Sequence, residues 1–163
     1  MDFDRADERF MRRAIELAQE SGKAGEVPVG AVVVIGDAVI GCGSNFPIKD
    51  LDPTAHAEIK ALREAARRVN NYRLPGSTLY CTLEPCAMCA GAIVLARVER
   101  LVFAARDLRF GAVRSKFALA DSPLLNHQVQ VHEGLLATES SALLTEFFGR
   151  TRAKGQIGGE GGF

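Results

Sequence analysis

His56, Glu58, Cys86 and Cys89 are the residues of this chain best suited to chemistry. They sit in His56-Ala57-Glu58 and, downstream, in Pro85-Cys86-Ala87-Met88-Cys89. One imidazole and two thiolates are donors that zinc prefers, and three protein ligands leave the fourth tetrahedral corner open for water, as in a catalytic site. Glu58 is then a spare carboxylate, free to move protons. Two thiolates and a neutral imidazole cancel the charge of a zinc ion, so such a site is less electron-poor than a three-histidine one. An adjacent carboxylate to take the proton of the water is therefore a chemical need.

Each of these residues has a competing reading. A Cys-x-x-Cys pair can be a redox dithiol, but a redox pair has no use for His-x-Glu. Cys81, five positions before Cys86, offers a fourth ligand for a closed structural site. Against that, Tyr80-Cys81-Thr82-Leu83 has the pattern of a buried strand, where a free cysteine is a small hydrophobe, and a closed site leaves Glu58 without a purpose. Cys42 reads as core in the same way, and Met88 as filler facing the core. His127 and His132 are isolated from the motif and read as packing or surface histidines.

The elements that must position these groups follow from periodicity and punctuation. Residues 5–20 place Phe10, Ala14, Leu17 and Ala18 on one helical face, and the helix should stop at Gly22. Residues 29–35 and 38–41 are apolar runs around a Gly36-Asp37 turn, which is a hairpin. Asp52-Pro53-Thr54 supplies helix-start residues, so His56 falls at the N-terminus of a helix running to about residue 69. Residues 77–83 read as a strand and Pro85 opens a helix to about residue 96, which puts Cys86 and Cys89 on one face of its first turn. Residues 100–105 and 129–132 are further strands. A closing helix over 138–152 turns Ala142, Leu143, Leu144 and Phe147 inward, and residues 155–163 hold five glycines and form a frayed, flexible tail. Helices on both faces of a mixed sheet make a three-layer α/β sandwich, with one domain over residues 1–154.

The 163 residues, 47% of them apolar, suffice for one core. No run approaches eighteen apolar residues, and the first twenty positions mix charges with apolar groups, so neither a membrane span nor a leader is expected and the protein should be cytosolic with its thiols reduced. Twenty basic residues balance twenty acidic ones, so any nucleic-acid partner must be held by a local patch. Arg97, Arg100, Arg106, Arg109, Arg114 and Lys116 face only Glu99 and Asp107 within residues 97–116, and Arg150, Arg152 and Lys154 cluster near the end. These are candidate phosphate contacts, although arginines are also ordinary solvated surface.

The zinc motif is the signature of the zinc deaminases, and its flanks are more specific. Val27-Pro28-Val29-Gly30-Ala31, Asp52-Pro53-Thr54-Ala55-His56-Ala57-Glu58-Ile59, Asn71-Tyr72-Arg73-Leu74, the run from Thr82 to Ala92, Ala105-Arg106-Asp107 and Phe147-Phe148 resemble the bacterial tRNA-specific adenosine deaminases of the cytidine-deaminase-like superfamily. The resemblance implies a five-stranded sheet, a homodimer, one zinc per subunit and hydrolytic conversion of adenosine to inosine at the wobble position of an arginine tRNA, with the anticodon loop as partner. It implies that His56, Cys86 and Cys89 hold the metal and that Glu58 passes protons between water, N1 and the departing amine as C6 of adenine is attacked. By the same resemblance Asn45 hydrogen-bonds the base, Ala57 offers a backbone contact, and Asp107, Phe147 and Phe148 lie along the anticodon loop, with Phe148 the better contact. Arg106, Arg109, Arg114, Arg150 and Arg152 are the candidate phosphate contacts. Arg114 stands where the family prefers glycine and Glu146 where aspartate is common. Two rivals remain: a guanine or cytosine deaminase acting on a free base, and a non-catalytic zinc subunit that binds RNA.

Overall fold

Strand β1 (Gly30–Ile35) carries no polar side chain, and it buries both faces: Ala31 and Val33 enter one apolar cluster, Val32 and Val34 the other. Such a strand belongs inside a sheet covered on two sides. In the structure, a computed structural model describing residues 2–154, the strand order is β2-β1-β3-β4-β5, with β2 at Ala38–Ser44, β3 at Ser77–Leu83, β4 at Arg100–Ala105 and β5 at Gln130–Glu133. β1 is antiparallel to both neighbours, while β3, β4 and β5 are parallel. Helices α2 (Ala57–Val69) and α3 (Ala87–Leu95) pack on the Ala31/Val33 face, and α1 (Arg5–Lys23) packs Phe10, Met11, Ala14 and Ile15 on the other, joined by Leu143 of α4 (Ala137–Ala153). This is the expected three-layer sandwich around a five-stranded mixed sheet. No described helix is long and apolar enough to cross a membrane. The glycine-rich 155–163 tail lies outside the described residues.

Three local expectations need correction. α1 runs through Gly22 and ends in a Schellman turn: Gly25 takes φ 82°, its N–H reaches the Gly22 carbonyl at 3.1 Å, and the Glu26 N–H reaches Ser21 at 3.0 Å. The terminating glycine is therefore Gly25. In α4, Ala142 is exposed, because this helix presents only a narrow stripe that includes Ser140 and Leu143. Met88 is half-buried on α3 and belongs to neither core cluster.

The helix that carries His56 and Glu58 sits unusually close to the sheet. A Cβ built on Gly41 would overlap the Ala61 carbonyl oxygen, and one on Gly43 the Ala57 carbonyl oxygen. α2 meets these glycines with Ala57, Ala61 and Ala65, one per turn, so β2 and α2 touch backbone to backbone. The height of the first turn of α2 above the sheet is set by this seam.

On the opposite face a buried ion pair ties α1 to the sheet. Asp7 completes a capping box with Asp4, accepts the Tyr80 hydroxyl at 2.7 Å and receives Arg100 through two bonds of 2.6 and 3.1 Å. Burial pushes the Asp7 carboxyl up, but the bonds from Arg100, Tyr80 and the Asp4 amide outweigh it and hold the group at about 2. A folded value below the unfolded one contributes stability above about pH 4 that disappears as pH falls towards 2, an effect of about 2 kcal/mol. Urea unfolding of wild type and Asp7→Asn between pH 6 and pH 2 checks this: the stability gap should close on acidification, and parallel curves would contradict it.

Candidate active site

His56 is the N-cap residue of α2 and Cys86 that of α3, and neither side chain is spent on capping. Ahead of His56, Asp52 accepts the Thr54 amide at 2.8 Å and its hydroxyl at 2.7 Å, which fixes the turn that delivers the imidazole. Cys89 and Glu58 lie in the first turns of α3 and α2. The two helix starts thus meet over the end of β3. His56 Nδ1 is 3.6 Å from Cys86 Sγ and 3.5 Å from Cys89 Sγ, and all three donor atoms lie within 4.8 Å of one another. Zinc bonds of about 2.0 Å to nitrogen and 2.3 Å to sulfur at the tetrahedral angle span about 3.5 Å between donors, so the residues present fit the ion. Cys81 stays outside this group, wholly buried in β3, where burial pushes its thiol well up.

The site is set up for anions. The hydrogen bond from the Cys89 thiol holds Cys86 down to about 4, against its burial and with help from His56. The same hydrogen bond, with burial, pushes Cys89 up. The first-turn amides of α2 and α3 favour negative charge in the same place. Glu58 is 4% exposed, and burial raises its carboxyl above the ordinary range, as suits a group that alternates between holding and releasing a proton.

Val29, Asn45, His56, Ala57, Glu58, Leu83, Glu84, Cys86 and Asp107 line one cleft. The structure thus brings Asn45, Ala57 and Asp107 together with the zinc-ligand set and Glu58. Asn45 is 2% exposed and oriented by its own contacts, donating from Nδ2 to Val27 O at 3.1 Å and from its amide to Val29 O at 3.0 Å. Asp107 uses Oδ1 to accept the amides of Arg109 and Phe110 at 3.0 and 3.1 Å. Phe147 and Phe148 are not in the lining; both are half-buried on α4, with rings edge-on at 5.5 Å. Four of the five candidate arginines are engaged within the chain: Arg106 with Glu133, Arg114 with Asp121, Arg150 with Glu146 and Arg152 with the Phe148 carbonyl. Arg109 stacks over Phe110 at 5.4 Å.

Two buried carboxylates that hold the loops beside the cleft escaped sequence reading. Glu26 accepts the Ile48 and Lys49 amides at 3.0 and 2.9 Å and so pins the loop between Asn45 and His56. Glu84 does the same for the loop after Asp107. The available signal was an acid beside an apolar run, in Glu26-Val27-Pro28-Val29 and Leu83-Glu84-Pro85, where a charge needs partners to be buried.

Residues 4–105 match the family described as the cytidine and deoxycytidylate deaminase zinc-binding region. The chain is 52% identical over 153 residues to a tRNA-specific adenosine deaminase of Haemophilus influenzae, covering 93% of this chain and 88% of that one. A solved structure from work on A-to-I editing by tRNA:A34 deaminases at the wobble position of transfer RNA superposes with TM-score 0.79 at 43% identity, covering 83% of this chain and 99% of that one. A guanine deaminase from Nitrosomonas europaea superposes with TM-score 0.70 at 29% identity over 86% of this chain and 83% of its own.

Proposed function

From a chain that belongs to the zinc-binding cytidine and deoxycytidylate deaminases, and within them to the tRNA-specific adenosine deaminases, we propose a zinc-dependent hydrolase of a cyclic amidine C–N bond that converts the wobble adenosine of arginine tRNA to inosine, releasing ammonia. The observation that carries this reading is the convergence of His56, Cys86 and Cys89 with buried Glu58 and Asn45 in a single cleft.

His56 Nδ1 and the two Sγ atoms would hold zinc, which when bound would supply Lewis acidity and activate water near neutral pH. Glu58 takes one proton of the attacking water and passes it to N1 of adenine as C6 is attacked, then takes the second from the new C6 hydroxyl and passes it to the departing amine as the C6–N6 bond breaks and the C6 carbonyl of inosine forms. Asn45, fixed by Val27, offers its amide to the edge of the base, and the Ala57 backbone closes the pocket beside Glu58. Asp107 is part of the same lining. An adenine enters such a site only when unstacked, which costs little in a single-stranded anticodon loop. Phe148 and the exposed Arg109 serve as outer contacts to the loop, with Arg106, Arg114, Phe147, Arg150 and Arg152 as further candidates. Mapping inosine after incubation with a whole tRNA pool tests the arginine assignment: inosine confined to the wobble position of arginine tRNA supports it, and inosine spread over other tRNAs contradicts it.

The working unit is a homodimer in the cytosol. α3 contains no charged residue, exposes Ala87 and Leu95, and has open space around Gly91, a helix face suited to close packing against a second copy. Sedimentation of the intact chain as a monomer would contradict this.

A further inference from the structure

Glu84, the residue after β3, is 2% exposed, and its partners are backbone and hydroxyl groups. Its Oε1 accepts the amides of Val113, Arg114 and Ser115 at 3.1, 2.6 and 2.8 Å. Its Oε2 accepts the Asp107 amide at 3.0 Å and the Ser115 hydroxyl at 2.5 Å. One carboxylate thus gathers both ends of the 107–115 loop. The main chain adds to this: the Glu84 amide reaches Ala105 O at 2.8 Å, the Ala112 amide reaches Pro85 O at 2.8 Å, and Gly111 bridges to Cys86. Gly111 is glycine because a Cβ there would overlap the Glu84 carboxyl group. Arg114 turns its guanidinium away to Asp121, at 2.9 and 3.1 Å, and so braces the far end of the loop.

We propose that Glu84 is a positioning residue: by holding the Asp107 amide and the 113–115 amides on one carboxylate, it fixes the 107–115 loop as a cleft wall at a set distance from Cys86, and it governs substrate binding through Asp107. The same geometry makes Arg114 a strut of that wall. This proposal rests on the deaminase reading given above.

Glu84→Gln is the informative variant because the two oxygens do different work. A glutamine carbonyl facing the three 113–115 amides leaves its NH2 against Asp107 N–H, so the Asp107 bond alone is lost while the Ser115 hydroxyl turns to accept. Amide exchange followed by NMR should then quicken at Asp107 by about 100-fold or more, with 113–115 still protected. Zinc should remain at one per chain. KM for an anticodon stem-loop should rise about tenfold with kcat within about threefold of wild type, the split expected when binding and not chemistry is lost. Ser115→Ala, a milder change that removes one donor, should raise KM in the same direction by about threefold. Unchanged KM in both variants, or an Asp107 amide still protected in Glu84→Gln, overturns the proposal. If wild type does not turn over the stem-loop, the deaminase reading falls while the exchange measurement still decides whether Glu84 holds the loop.

Discussion

Glu58→Gln and Glu58→Ala are expected to retain zinc and fold while losing at least about 10²-fold in kcat, the usual scale for a positioned general acid/base. The carboxylate is not among the three donors grouped for the metal, and it occupies the first turn of α2 inside the cleft. Zinc content and rate must therefore separate. Loss of zinc in Glu58→Gln would make the residue a ligand, and a rate near wild type would mean that another group handles the protons. The same pair of variants bears on the non-catalytic RNA-binding alternative, because a silent subunit has no use for a carboxylate held buried at a desolvation cost.

Removing either thiolate should have an effect of another kind. Cys86→Ala and Cys89→Ala each leave two ligands from a set whose donors stand at tetrahedral spacing, so bound zinc should fall from about one per chain to near zero and activity should vanish with it. Cys81→Ser is the control. Cys81 is nearer in sequence to Cys86 than His56 is, yet it lies outside the metal cluster, and its substitution should leave the zinc in place. A Cys81→Ser protein without zinc would mean a closed four-ligand site and would remove the open corner on which hydrolysis depends.

The parts of this molecule that were legible in its sequence are those written locally. Asp52, Pro53 and Pro85 mark two helix starts, and ligand types beside those marks place His56 and Cys86 at N-termini without knowledge of the sheet. The run 29–35 is apolar at every position from Val29 to Ile35 except Gly30, and that alone requires cover on both faces. What sequence reading missed depends on partners distant along the chain. Arg106 looks like a free cation until the fold supplies Glu133, 27 positions away, and the Glu84 cradle draws on amides 23 to 31 positions away. A glycine after a helix is usually its stop, which predicts an end at Gly22; the residue that needs the left-handed conformation is three positions on, at Gly25.

This cleft acts on adenosine within RNA and not on free bases or nucleosides. The most direct measurement presents the purified zinc-loaded protein, in parallel, with an anticodon stem-loop carrying adenosine at the wobble position and with free adenosine, guanine and cytosine, and reads inosine by mass and ammonia by amount. Inosine is expected at the wobble position of the stem-loop, with no ammonia from the free compounds. Ammonia from guanine or cytosine with an unaltered stem-loop would contradict it and make the chain a free-base deaminase.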